Sequence, residues 1–429
     1  MLLRRVADLR PGEGPRVLLA ATWFCCLLTT NYTLRPLRDA MGVAGGVDKL
    51  HWLFTATFLV MLAAVPAYGF AVARFGRWRL VPLVHRFFAL NLLIFFALMQ
   101  GWLDGLGPSE VVRVWTARAF FVWQSVFNLF VISLFWSVMA DLFSGSDARR
   151  LFGLISLGGS VGAIAGPTIG GALALWIDPH LLPVVAAGLL EVALAAMRAM
   201  QRHTSATREP TEHSADDDAA IGGGALSAFP EIVRSPKLLG ICAYVLLLTM
   251  NSTALYFIQA NIVAANFDDD ATRTAVFAGI DLSVNVLSVL AQALLTGRLI
   301  QRIGLGWALA VLPVACVSGF ALLGLVPVLG MLVGFQIARR VIDYAIARPA
   351  REVLYTAVDR SERYKAKSVI DTVVYRGGDA LMGWLFAGLK ALGLGLGGIA
   401  LLSVPLAGLW ALVGGWIGRR SEPDVQRER

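Results

Sequence analysis

Charge, histidine and cysteine are all scarce in this chain. Only 15% of its 429 residues are Asp, Glu, Lys or Arg, 57% are hydrophobic, and the mean hydropathy is +0.68. That balance excludes an ordinary soluble globular protein of this length and points to a polytopic protein embedded in a lipid bilayer. The four cysteines, Cys25, Cys26, Cys242 and Cys316, lie inside apolar runs without metal-ligand spacing and read as small core residues. No P-loop, metal cluster or hydrolase motif is present, so no metal, cofactor or catalytic residue is expected. Arg4, Arg5 and Arg10 precede an apolar run as in a signal peptide, but no A-x-A-like site follows, and the first helix is expected to stay uncleaved. The net charge of +8 does not mark a nucleic-acid surface, because the basic residues are dispersed among short connections.

Apolar runs of the roughly 20 residues needed to span a bilayer fall near 17–34, 53–73, 80–102, 111–140, 151–175 and 181–200. A polar stretch then interrupts them, with Asp216, Asp217, Asp218 and Gly222, Gly223, Gly224, the composition of a linker. Further runs lie near 238–262, 274–295, 305–326, 329–347, 369–392 and 399–417. The expected fold is an all-α membrane protein of twelve spans: a six-helix bundle at 1–200, a linker at 201–237 and a second six-helix bundle at 238–429. Arginines crowd the even-numbered connections, among them Arg74, Arg77, Arg79, Arg149, Arg150, Arg298, Arg302, Arg360, Arg363, Arg419 and Arg420, with Lys365 and Lys367. Positive loop residues stay on the cytoplasmic side, which predicts a cytoplasmic linker and two cytoplasmic termini.

The fifth span reads G-x8-G-x3-G-P-x2-G-G through Gly153, Gly162, Gly166, Pro167, Gly170 and Gly171. Gly158, Gly162, Gly166 and Gly170 recur every fourth residue and form a groove without side chains, into which another helix can pack closely. Each glycine costs a helix about 0.8–1 kcal/mol relative to alanine, and Pro167 removes a donor, so a merely hydrophobic span would avoid them. A packing seam without further role is one reading. The other follows from the whole pattern, which resembles the antiporter motif in the fifth helix of many major facilitator superfamily exchangers. A short repeat agrees with two related halves: Gly69, Arg74 and Gly76 recur as Gly297, Arg302 and Gly304 after the second span of each half. Its spacing resembles the superfamily's signature between helices two and three, with Ala73 and Gln301 at the position usually acidic.

An ionisable group at the bilayer centre costs about 2.5–3.5 kcal/mol, so each one inside a span needs a partner or a water-filled cavity. Arg35, Arg38 and Asp39 end the first span, where Pro36 is expected to break the helix and turn the arginines toward a cavity, unless they snorkel to the interface. Span four places Arg113, Gln124 and Asn128 on one arc and Arg118 on the next, with Trp115, Trp123 and Trp136 nearby. Span eight lines Asp281, Asn285, Ser288 and Gln292 along one stripe, which serves either a site or interhelical hydrogen bonding. Span ten holds Arg339, Arg340, Asp343, Tyr344 and Arg348, with Arg339 placed to pair with Asp343. Span eleven holds Asp371, Tyr375, Arg376 and Asp379.

Arg348-Pro349-Ala350-Arg351-Glu352, the stretch from Arg363-Tyr364-Lys365 through Asp371, and Arg376-Gly377-Gly378-Asp379 resemble the late signature of the ATP:ADP antiporter family. The start Asn31-Tyr32-Thr33-Leu34-Arg35 and the step from Phe135-Trp136 to Asp141-Leu142-Phe143 are similar to the same family, although Ala40, Met41 and Gly42 stand where its members carry polar and basic residues. The resemblance implies a monomeric antiporter of nucleotides or other phosphorylated or organic anions, working by alternating access with a small anionic substrate such as ATP or ADP as cargo, in a bacterial inner membrane. Arginines grip phosphate bidentately and the tyrosines and tryptophans can stack a ring, so the candidate substrate residues are Arg35, Arg38, Arg113, Arg118, Gln124, Asn128, Asp281, Asn285, Arg340, Tyr344, Arg376 and Asp379. A proton-coupled exporter of small organic compounds is the alternative, and it would use Asp281, Asp379 or Glu191 as the titrating group. A lipid-modifying enzyme or signalling scaffold finds little support, since His85 with Arg86 lacks a nucleophile and reads as a cap at a helix end.

Overall fold

A computed structural model describes residues 13–75, 77–102, 109–143, 145–205, 232, 234–356, 367 and 369–427, and among them every regular element is helical. Apolar chain in lipid must satisfy its backbone internally, and the helix does so within one segment. The helices are α1 (Gly14–Ala44), α2 (Leu50–Arg74), α3 (Arg77–Met99), α4 (Ser109–Leu142), α5 (Gly145–Trp176) and α6 (Leu182–Ser205). They continue as α7 (Pro236–Asn266), α8 (Asp270–Ala291), α9 (Gly297–Leu325), α10 (Leu329–Ile342), α11 (Arg348–Thr356), α12 (Tyr375–Ala391) and α13 (Leu396–Arg427). Ten helical segments among the described residues are long and apolar enough to cross a membrane. Arg4, Arg5, Arg10, Gly76, Asp216, Asp217, Asp218, Gly222, Gly223, Gly224, Arg360, Arg363, Tyr364 and Lys365 lie outside the described residues, as do the side chains of Ala73, Arg77, Arg149, Arg298, Gln301 and Arg302.

Local chemistry sets the helix ends. Ser235 caps α7 by accepting from the Leu238 N–H at 3.4 Å, with Pro236 as the first helical residue. Asp269 caps α8, accepting from the Thr272 N–H at 2.6 Å, and this bond holds its carboxyl below the usual carboxylate range. The break expected at Pro36 is absent: α1 runs through it to Ala44, as membrane helices can when neighbours supply the packing. The connection expected between spans eight and nine contracts to Gly304, whose φ of 75° lies in the left-handed region open to glycine. Three π-helical turns, Gln292–Thr296, Asp343–Ala347 and Ile370–Val374, interrupt the regular helices.

The chain forms two compact units. The first comprises Met1–Gly45, Ala63–Asp218 and Asp268–Leu282; the second comprises Gly46–Leu62, Ala219–Phe267 and Ser283–Arg429. Thus α2 and α8 are each divided, the leading part of each belonging to a different unit from the part that follows.

In the first unit α5 lies parallel to α1 along the glycine groove. A Cβ at Gly158 would fall on the Ala21 carbonyl oxygen and one at Gly162 on that of Cys25. At Gly166 it would stand 2.7 Å from the Thr29 oxygen, and at Gly170 3.2 Å from that of Thr33. Both helices therefore repeat small residues every fourth position, and Thr33 Oγ1 donates to the Gly166 carbonyl at 3.1 Å. Gly153 faces open space and takes no part in the seam, while a Cβ at Gly171 would meet the Ala278 methyl at 3.0 Å. Aromatic rings fill the core behind, with Phe24 stacked on Phe135 at 4.4 Å and Trp23 edge-on to Phe135 at 4.9 Å. His85, expected at a helix end, is instead 1% exposed: its Nδ1–H donates to the Val81 carbonyl and its Nε2 accepts from Trp23 Nε1 at 3.2 Å.

The second unit has a glycine seam of its own, antiparallel, between α9 and α13. A Cβ at Gly418 would strike the Gly306 backbone, and at the far end one at Gly397 would stand 2.8 Å from the Gly324 oxygen. Here α12 also receives the start of α2: Gly383 lets the His51 Cα approach, and Trp384 donates to Thr55 Oγ1 at 3.1 Å and packs on Trp52 at 4.8 Å. Lys390 closes that end with bonds of 2.9 Å to Asp48 and 2.8 Å to Asn261.

Gly166→Leu should separate α1 from α5, because the Tyr32 Cβ and the main chain of Thr29 and Thr33 stand in its way and cannot rotate aside. We expect purified Gly166→Leu protein to lose thermal stability, whereas Gly153→Leu should melt with the parent; equal melting of the two variants would contradict the seam.

Candidate functional site

In the first unit the site residues gather along α1. Arg35 Nε lies 3.6 Å from Asp281 Oδ2, brought there by the leading part of α8, and the Arg35 guanidinium carbon lies 5.9 Å from the Tyr32 ring centre. Asp281 is only 3% exposed. A buried carboxylate beside a guanidinium offsets part of the cost of carrying charge in an apolar bundle. One turn earlier, Gln124 Nε2 donates to Asn31 Oδ1 at 2.9 Å, both residues buried, so the polar arc of α4 meets α1 there. Asn128 is half-buried on the next turn of α4.

Other candidates have structural employment. Arg38 lies 3.9 Å from the Phe121 ring centre, donates to the Phe121 carbonyl at 3.4 Å and pairs with Asp39 at 3.3 Å. Arg118 Nε donates to the Gly45 carbonyl at 3.2 Å and its guanidinium covers Trp115 at 5.1 Å. It thus serves the C-terminus of α1, about 15 Å of helix rise from Arg35, so these two candidate substrate residues do not lie together. Arg113 is exposed at that same end, lining a small cleft with Met41, Thr116, His180 and Asp270.

The second unit assembles a different set. Asp379, 6% exposed, accepts from Thr253 Oγ1 at 2.7 Å and lies 3.6 Å from Arg376, whose guanidinium is 5.9 Å from the Tyr375 ring centre. Arg340 is buried, 5.8 Å from the Tyr344 ring centre, and Arg348 approaches the same ring at 4.7 Å. Gln292 donates to the Tyr344 carbonyl at 3.0 Å, which ties one π turn to another. Asn285 and Ser288 are buried on the stripe that leads to Gln292. Arg339, expected to pair with Asp343, donates to Ser252 Oγ at 2.8 Å and to Gln336, which itself bonds Gln259.

Sequence reasoning missed Asn31 as the partner of Gln124 and Thr253 as the partner of Asp379. The signal for the second was present, since Thr249 and Thr253 stand one turn apart on α7 and face the Gly378-Asp379 step. Among the described residues no group of His, Cys, Asp and Glu could hold a metal ion.

The sequence profile of the Major Facilitator Superfamily matches residues 18–339. ADP,ATP carrier protein 1 of Chlamydia muridarum is 25% identical over 308 residues, covering 64% of this chain and 58% of the carrier. ADP,ATP carrier protein 2 of Chlamydia trachomatis is 23% identical over 369 residues, covering 73% and 67%. Among solved structures, the nucleoside transporter NupG superposes with a TM-score of 0.60 at 12% identity, over 95% of this chain and 99% of that one. A bacterial homologue of the human lysosomal transporter Spinster gives 0.59 at 14%, over 98% and 99%. These structural likenesses concern the fold alone.

Breaking a buried ion pair costs about 3–5 kcal/mol, and with the Arg35 side chain 29% exposed we expect the coupling of Arg35 with Asp281 to be smaller, roughly 1–3 kcal/mol. A double-mutant cycle of Arg35→Ala and Asp281→Ala, read from thermal unfolding in detergent, measures it; additive single effects would contradict the pairing.

Proposed function

The chain belongs to the Major Facilitator Superfamily and is accordingly an integral membrane protein with a transporter's fold; from that premise we propose that it is an antiporter of nucleotides or other phosphorylated anions. It works by alternating access between two six-helix halves of a twelve-span bundle, as a monomer in a bacterial inner membrane, with both termini and the linker cytoplasmic. The substrate residues are Arg35, Arg340 and Arg376, helped by Gln124, Asn128, Asn285 and Tyr344. The observation that carries this reading is the pairing of an arginine with a buried carboxylate in each unit, Arg35 with Asp281 and Arg376 with Asp379. The likeness to ADP,ATP carriers supports the choice of a nucleotide among anions.

Exchange follows from charge. A phosphate that reaches Arg35 competes with Asp281 for the same guanidinium, and one that reaches Arg376 competes with Asp379. The carboxylates offset the arginines only in part when the anion leaves, so the empty site reorients poorly, and the arginines hold the anion by planar, bidentate bonds. A second reading, proton-coupled export of small organic compounds, is favoured by the burial of Asp281 and Asp379, either of which could carry the proton.

Uptake by proteoliposomes separates the two. The parent should take up labelled ATP or ADP against the same unlabelled nucleotide inside, with no requirement for a pH gradient, and Arg35→Lys and Arg376→Lys should each lose about tenfold or more, since an ammonium cannot present the fork. Uptake that needs a proton gradient and disappears in Asp281→Asn or Asp379→Asn would favour the exporter.

A further inference from the structure

The ion pair of Arg86 with Glu191 differs from the other pairs within the spans because it faces outward. Arg86 lies on α3 and Glu191 on α6, both inside segments apolar enough to cross a membrane, yet their side chains are 61% and 52% exposed. That face meets lipid. At helical spacing on α3 the neighbours of Arg86 are Leu83, Leu90 and Leu93, all exposed, while His85, Phe88 and Leu92 on the opposite side are buried. On α6 the surface beside Glu191 is open, since Ala195 is exposed and a Cβ at Gly188 would meet nothing within 4 Å.

The pair does not cancel its own cost. Arg86 Nε stands 4.0 Å from Glu191 Oε1, the outer limit of an ion pair, and among the described residues neither group has another polar partner. Charged groups that face hydrocarbon draw polar material inward, by snorkelling of the side chain and local thinning of the bilayer. The same two helices supply a route. Gln100, just past the end of α3, donates at 3.1 Å to Asp178, just before α6, so the helices run antiparallel and the start of α3 meets the end of α6. Toward that end Arg79 and Arg198 stand two helical turns from Arg86 and Glu191, on the same faces and about 10 Å nearer the membrane surface.

We propose that the α3–α6 face holds the headgroup of one phospholipid bearing a primary ammonium, with its phosphate on Arg86 and its ammonium on Glu191. Charge complementarity selects that occupant. A zwitterionic headgroup presents an anion and a cation side by side, matching the cation and anion of the pair. The guanidinium takes the phosphate by its planar fork, and the N–H donors of a primary ammonium bond the carboxylate. A quaternary ammonium has no N–H to give, and a headgroup whose only charge is its phosphate leaves Glu191 facing a like charge. Arg79 and Arg198 attract the phosphate at the membrane surface and favour its descent to Arg86. The site lies apart from the proposed substrate residues and is independent of the cargo.

The experiment titrates dioleoyl phosphatidylethanolamine, phosphatidylcholine and phosphatidylglycerol into purified, delipidated full-length protein in detergent, and native mass spectrometry counts the bound lipids for the parent, Arg86→Gln and Glu191→Gln. The parent should bind one ethanolamine lipid about fivefold or more tighter than either of the others, the worth of one charge-assisted hydrogen bond at a half-exposed site. Glu191→Gln should erase that preference and bind the glycerol lipid more tightly than the parent does, whereas Arg86→Gln should weaken all three. Both side chains are exposed, so both variants should melt near the parent. A pair that only fastened α3 to α6 would lower the melting temperature in both variants and leave the order of the three lipids unchanged, which overturns the site. Equal affinity of the parent for the ethanolamine and choline lipids also overturns it. So does a parent that is dimeric in detergent and becomes monomeric in Arg86→Gln, because a second copy would then cover this face.

Discussion

A guanidinium inside an apolar helical bundle is the constraint on which the rest of this structure depends. Removing it from water costs a few kcal/mol that hydrophobic packing does not return, so every arginine in a span must find compensation. Among the described residues the compensation takes several forms. Arg35 and Arg376 lie beside carboxylates that are themselves buried. Arg38, which also pairs with Asp39, and Arg118 reach main-chain carbonyls and aromatic faces, which fastens α4 to α1. Arg340 and Arg348 both approach the Tyr344 ring, and Arg339 donates to the Ser252 and Gln336 side chains.

Close backbone approach is what brings these groups within reach. Because α5 presents glycines where α1 presents Ala21, Cys25, Thr29 and Thr33, the two helices meet main chain to main chain, and the α1 residues just beyond that seam include Arg35. Gly171, at the end of the same groove, admits Ala278, which lies one turn before Asp281 on α8. The groove and the ion pair are therefore parts of one arrangement. In the second unit Gly378 stands against Thr249 and so sets Asp379 opposite Thr253, the same device on a smaller scale.

Much of this was legible in the sequence. Hydropathy marked the membrane helices, the four-residue glycine period marked a seam, and charge inside spans marked Arg35, Asp281, Arg376 and Asp379. Partners were harder to read. The glycine period says that a helix packs closely without saying which one, although α1 carries small residues at the matching interval. A helix wheel placed Arg118 near the polar arc of α4, but its acceptor is the carbonyl of Gly45 at a helix end, and no side-chain pattern announces a carbonyl. His85 failed for a related reason: a lone polar residue near the start of an apolar run looks interfacial, whereas its bond to Trp23 lets it sit in the core. The π turns were invisible, because one extra residue per turn leaves hydropathy unchanged while altering which side chains converge, Tyr344 with Arg348 above all.

The proposed exchange requires that Asp281 and Asp379 offset their arginines only in part, so that the protein reorients readily with an anion bound and slowly without one. The most direct measurement is efflux of labelled ATP from preloaded proteoliposomes, with and without unlabelled nucleotide outside. For an exchanger, efflux is slow into plain buffer and accelerates many-fold when external ADP or ATP is added, at constant pH on both sides. Efflux into plain buffer as fast as into nucleotide would contradict exchange.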